Sequence, residues 1–166
     1  IEKEENAKML HLDSRNLDIK SITLSEDDNE KAYRREANVQ IGRVDSILGE
    51  ELLIPLDENT RFVTIRYQTK PGADALQFLP KEQTTGTGPF LLTQSQAINA
   101  RTWVPIQDSP GIRFSYDAKV KVPTDLLAIM SATNPQKKNN SGVYTFKMEQ
   151  PIPAYLLALA VGDLEF

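Results

Sequence analysis

Strict alternation is the feature that most limits what this chain can become. From Arg113 to Pro123 (RFSYDAKVKVP), Phe114, Tyr116, Ala118, Val120 and Val122 fall on one side of an extended chain, and Ser115, Asp117, Lys119 and Lys121 fall on the other. Successive side chains of a strand point to opposite faces, so a period of two makes one face dry and the other wet. Such a strand is half-buried and antiparallel, and Pro123 ends it because it has no amide hydrogen to give the ladder.

The same period recurs along the chain. Val63, Ile65 and Tyr67 alternate with Thr64, Arg66 and Gln68 in the segment Arg61 to Thr69, and Tyr144, Phe146 and Met148 share a side between Val143 and Met148. The segment Leu17 to Leu24 changes phase between Ile19 and Ile22, which predicts a bulge or a strand buried on both faces. Further strands are predicted at Met9 to Ser14, Asn38 to Ile47, Glu51 to Pro55, Leu127 to Ala132 and Tyr155 to Glu165. Polar turns separate them: an acidic hairpin tip from Glu26 to Glu30, a turn from Leu56 to Thr60, and a long loop with Pro and Gly from Asn134 to Gly142. No extended helical pattern is present, although a turn or two of helix fits Lys81 to Thr84 and Ala97 to Trp103. No repeat, heptad or linker divides the chain. The expectation is one mainly β domain over residues 1–166, built from antiparallel or mixed sheets.

Composition removes several classes of function. The chain has 166 residues, 40% of them hydrophobic and 25% charged, enough for a real core. A net charge of −4 gives no basic footprint for nucleic acid. The longest apolar run, Ala154 to Val161, is far too short to span a bilayer as a helix, so no membrane partner is expected. Ile1 to Asn6 lacks the pattern of a secretory signal, and Ile1 in place of Met suggests a start partway through a longer protein. Cysteine is absent, which excludes disulfides, thiolate ligands and Cys nucleophiles but leaves the compartment, cytoplasmic or periplasmic and secreted, open. The single histidine, His11, alternates with apolar neighbours as a strand residue does. One His and no Cys fall short of the usual zinc ligand set, and no nucleophile elbow accompanies it, so His11 reads as structural.

The stretch from Pro71 to Arg113 is rich in Gly, Pro, Gln and Thr and poor in alternation. A loop of this length inside a compact domain is usually functional or disordered. It contains Phe78, Phe90, Leu91, Leu92 and Trp103, so it is expected to pack down and hold its polar groups at fixed positions. Gln94 and Gln96 lie two apart in an extended stretch, so their side chains should point the same way.

Three ordered segments then resemble one family. TQSQAINAR (Thr93 to Arg101), with Pro105, Asp108 and Pro110 in spacing, matches a Q-x-Q-A-I motif that leads through x-x-R and P-x-x-D-x-P into an alternating strand. ALQFLPKEQTTG (Ala75 to Gly86) and PIPAYLLALAVGDLE (Pro151 to Glu165) match flanking segments of the same domain. Together they resemble the N-terminal domain of the gluzincin zinc aminopeptidases, in the leukotriene hydrolase/aminopeptidase branch. One departure is Ile106, where the family often has Cys; it reads as a packing substitution. The resemblance also implies further strands before Ile1 and after the end of this sequence, and a catalytic domain carrying the His-Glu-x-x-His helix, which this sequence lacks.

By that resemblance the fold is a saddle-like β domain that packs on its own catalytic domain and closes one side of the substrate cleft. Gln96 would accept a hydrogen bond from the α-amino group of a peptide N-terminus. Gln94 and the Ala97 backbone would line the same pocket. Where the aminopeptidase N branch has Glu, Gln96 points to the leukotriene-hydrolase branch. Zinc would belong to the full-length parent, with no cofactor, metal ligand or catalytic residue in this chain. Arg101 and Asp108 read as structural, a buried Arg and a turn that ties the loop down, and Trp103 as a core anchor. The acidic runs at Glu26 to Asp28 and Glu50-Glu51 lack calcium-loop spacing and read as solvated turns. Asn139-Asn140-Ser141 fits a glycosylation pattern but reads as loop. Edges and apolar surface left uncovered are expected to favour self-association, through a sheet edge or through the face bearing Gln94 and Gln96. Two other readings stand beside this one: a non-catalytic β-rich binding or adhesion module, and a scaffold whose parent has lost its zinc ligands.

Overall fold

The alternating segments do form strands, and their partners divide them between two compact units, seen in a computed structural model that describes residues 1–4, 6–29, 33–85 and 88–165. Every strand pairing among the described residues is antiparallel. Gly86, at the end of one motif, and Glu30, at the end of the acidic tip, lie outside the described residues.

The first unit comprises Ile1–Ala73 and Arg101–Gln107. Strands β1 (Met9–Ser14), β4 (Gln40–Asp45) and β5 (Gly49–Pro55) form one sheet in the order β1-β5-β4. Strands β2 (Leu17–Ser25), β3 (Arg35–Glu36) and β6 (Phe62–Thr69) form another, in the order β3-β2-β6. Ile22, Leu24, Leu52 and Ile54 are buried together, with Leu10, Leu12, Val63 and Ile65 packed around them. Each such side chain contributes about 1.5–3 kcal/mol by leaving water. The phase change in β2 is a register shift against β6 between Ile19 and Ser21. It keeps Ile19, Ile22 and Leu24 in the core despite their odd spacing. The β4–β5 hairpin turns at Gly49, whose φ is 81° and whose added Cβ would lie 2.3 Å from the Ser14 carbonyl oxygen. Only glycine meets both conditions.

The second unit comprises Asp74–Ala100 and the chain from Asp108 onward. Strands β7 (Leu76–Leu79), β8 (Phe90–Thr93), β10 (Leu127–Met130) and β12 (Leu159–Gly162) form a sheet in the order β10-β12-β8-β7. Strands β9 (Arg113–Lys121) and β11 (Val143–Pro153) pair as a two-stranded ribbon. The dry side of β9 is half-buried, in step with the alternation, with Ala118, Val120 and Val122 packed on Leu126, Leu127, Ala128, Tyr144, Phe146 and Val161. The Tyr144 hydroxyl donates to the Leu126 carbonyl at 3.0 Å, so this buried polar tip is satisfied.

Several expectations need correction. The stretch from Pro71 to Arg113 contains two strands, β7 and β8, that form half of the four-stranded sheet. Their four-residue runs (LQFL and FLLT) are too short to show a period. Phe78 does not pack down: it sits on edge strand β7 and is 71% exposed. The strand expected from Tyr155 to Glu165 is a 3-10 turn at Ala154–Leu156 followed by β12. The strand expected from Asn38 to Ile47 is shorter at both ends, and Ile47 lies in the hairpin turn. Glu50 and Glu51 lie in β5, not in a turn.

Candidate functional site

The motif TQSQAINAR begins at the last residue of β8 and runs to a short 3-10 turn at Ala100–Thr102. Alternation persists past the strand end. Gln94 and Gln96 are exposed, while Ser95 between them is 2% exposed. Both glutamines therefore lie on the exposed side of the chain, although the Gln94 carboxamide turns back to accept from the Gln96 amide. Ala97 is also exposed and joins Gln96 through a cis peptide bond.

The base of this loop is held from several directions within the second unit. The Gln94 amide donates to the Ala75 carbonyl at 2.8 Å. The Ser95 hydroxyl donates to the Leu157 carbonyl at 2.8 Å, and the Leu159 amide donates to Thr93 Oγ1 at 2.9 Å. The Asn99 amide donates to the Ser95 carbonyl at 2.9 Å, and Asn99 Nδ2 reaches the Gln96 carbonyl at 3.4 Å. Within the loop, the Gln96 amide donates to Gln94 Oε1 at 3.3 Å. Thus the backbone is fixed while the Gln96 carboxamide faces outward, with a carbonyl oxygen suited to an ammonium donor and an amide group suited to an acceptor. The site adds no charge of its own.

Thr93, Ser95 and Asn99 were not singled out from the sequence. For Thr93 and Ser95 the signal is the alternation itself, which sets small hydroxyls on the face opposite the two glutamines; Asn99 carries no such signal.

Arg101 and Asn139 serve structural bonds, and Asp108 is buried. Arg101 is buried and donates from Nη1 to Asp13 Oδ1 at 3.1 Å and to the Leu48 carbonyl at 2.8 Å. The segment that carries it pairs with β1 through reciprocal bonds between Asp13 and Ile106. Asp108 is buried, and a turn at Ser109–Ile112 follows it. Trp103 is half-buried. Asn139 Nδ2 donates to the Val143 carbonyl at 2.8 Å and its Oδ1 accepts from Ser141, so its amide serves the turn.

His11 lies on β1 with Nδ1 2.8 Å from Glu51 Oε1 on the paired strand. That bond holds the Glu51 carboxyl below its ordinary range, helped by the Arg43 amide. Among the described residues no group of three or more His, Asp or Glu gathers as metal ligands do. A pair formed by one imidazole and one carboxylate falls short of the three protein ligands of a hydrolytic zinc. Among the described residues the donor set does not fit that ion.

Comparison with known proteins defines the class. Residues 1–156 match the Peptidase M1 N-terminal domain, and the chain belongs to that family. Among curated relatives, it is 38% identical to leukotriene A-4 hydrolase of Xenopus laevis, a match covering 98% of this chain and 27% of that protein. It is 35% identical to leucine aminopeptidase 2 of Yarrowia lipolytica, over 98% of this chain and 24% of that protein. The solved structure of native leukotriene A4 hydrolase from Saccharomyces cerevisiae superposes with a TM-score of 0.81 at 29% identity, over 99% of this chain and 24% of that one. The M1 zinc metallopeptidase from Deinococcus radiodurans shares the fold, with a TM-score of 0.62 at 20% identity, over 93% of this chain and 34% of that one. The chain spans about a quarter of the length of the curated relatives it matches.

Proposed function

We propose that this chain forms one wall of the substrate cleft in a zinc-dependent aminopeptidase and is inactive alone. In this reading Gln96 receives the free α-amino group of a peptide, while Gln94 and the Ala97 backbone line the pocket around it. The supporting observation is the loop itself: the family motif lies on a stretch whose base is pinned and whose two glutamines are exposed. A neutral acceptor orients an ammonium group without altering the charge balance of a hydrolytic site. The zinc, which polarises the scissile carbonyl and activates water, is held by a catalytic domain outside this chain. That domain and peptide N-termini are its partners.

Kinetics of the full-length protein on an aminoacyl anilide test this. A hydrogen bond to a charged group is worth about 1.5–3 kcal/mol, so Gln96→Ala should lower kcat/KM by about one to two decades with folding intact. Unchanged kcat/KM in a stable variant would reduce Gln96 to an ordinary loop residue.

A further inference from the structure

The pairings that end β8 and β12 contain a second device. Leu91 pairs with Val161 and Leu92 with Ala160, so the same register carried outward sets Thr93 opposite Leu159 and Ser95 opposite Leu157. At those two positions side-chain hydroxyls make the bonds: the Leu159 amide donates to Thr93 Oγ1, and Ser95 Oγ donates to the Leu157 carbonyl. On the far side of the loop the backbone keeps its own register, since Leu76 pairs with Thr93 and the Gln94 amide meets the Ala75 carbonyl. Segment 157–159 is itself fixed from β10. Met130 pairs with Leu159, the Ser131 amide donates to the Ala158 carbonyl at 3.1 Å, and the Ala158 amide donates to Ser131 Oγ at 3.0 Å. Ser131 Oγ also lies 3.0 Å from the Tyr116 hydroxyl on β9.

From this we infer that Thr93 and Ser95 are positioning residues for the binding loop, which together continue the sheet by hydroxyls where its backbone ladder stops. A hydroxyl is longer than a backbone group by its Cβ, so the two segments can separate while their register is kept. The separation leaves Gln96 outside the ladder, while Gln94 keeps one backbone bond, to Ala75. Because the hydroxyls fix residues 93 and 95 and side chains alternate, they fix the direction of residues 94 and 96. A functional group held by locked supporting residues keeps its geometry, and loosening the support weakens what the group binds. The consequence for peptide capture rests on the role proposed above for Gln96.

The test uses near-isosteric variants. Thr93→Val removes the hydroxyl and keeps the shape, Thr93→Ser keeps the hydroxyl, and Ser95→Ala removes the second hydroxyl. In this chain, 15N relaxation of the Gln94 and Gln96 side-chain amides should show loss of order in Thr93→Val and Ser95→Ala, and wild-type order in Thr93→Ser. The Leu159 amide should lose hydrogen-exchange protection in Thr93→Val alone. In the full-length protein, Ser95→Ala should raise KM for an aminoacyl anilide by about threefold to tenfold with kcat held. Unchanged glutamine order in folded Thr93→Val and Ser95→Ala overturns the inference. If Gln96→Ala leaves kcat/KM unchanged while the order is lost as expected, the positioning stands and only the substrate reading falls. Should Ser95→Ala fail to fold, the Thr93→Val and Thr93→Ser pair decides alone.

Discussion

Ser14 and Ser95 are both enclosed, at 0% and 2% exposure, yet their hydroxyls have opposite fates. Ser95 Oγ donates to a carbonyl, whereas Ser14 Oγ has no partner among the described residues. A buried polar group without a partner costs its desolvation, about 1–3 kcal/mol, and a satisfied one returns it. Alanine at the two positions should therefore act with opposite sign. Ser14→Ala should stabilise the chain by roughly 1 kcal/mol, read as a rise in the urea midpoint with an unchanged m-value. A lowered midpoint would show that the Ser14 hydroxyl is used. The sequence distinguishes neither serine, because both are small, polar and flanked by alternating residues.

Turn chemistry was more legible than strand content. The polar turn read between Leu56 and Thr60 is built around Asp57, whose Oδ1 accepts from the Thr60 hydroxyl at 2.6 Å and from the Thr60 amide at 2.8 Å. Arg35 donates to the other carboxylate oxygen. The Thr60 hydroxyl bond is the largest cause that holds the Asp57 carboxyl below its ordinary value, with the Thr60 amide and Arg35 adding to it against desolvation. A group whose folded pKa is depressed contributes stability that is full above its unfolded value and is lost as pH falls through the folded one. Acid denaturation of wild type should thus include a contribution from Asp57 below the ordinary aspartate range, and Asp57→Asn should flatten that limb. An NMR titration in which the Asp57 carboxyl shows an ordinary midpoint would contradict this. By contrast β7 and β8 escaped the sequence reading. LQFL and FLLT are too brief to reveal a period, and they become strands because each finds a partner edge in the other.

At the scale of the whole molecule, the chain carries the N-terminal domain of a peptidase family. His11 and Glu51 pair with each other, and among the described residues no third ligand joins them. The purified chain should therefore hydrolyse no aminoacyl anilide with zinc added, and calorimetric titration should find no tight zinc site. Chelator-sensitive turnover by the pure chain would refute this. The alternation of apolar and polar residues by itself determined that the chain is β-rich, that β2 changes phase between Ile19 and Ile22 and that Gln94 and Gln96 share a side, because each follows from backbone geometry over a few residues; that the phase change is a register shift only the structure decided. The three ordered motifs determined the family. Only the tertiary structure decided how the loop is held. The Ser95–Leu157 and Thr93–Leu159 bonds join residues 62 and 66 apart, and Arg101 meets Asp13 across 88. Alternation states which face of a strand is buried but not which strand lies beside it, so partners this distant are fixed only when the sheets assemble in register.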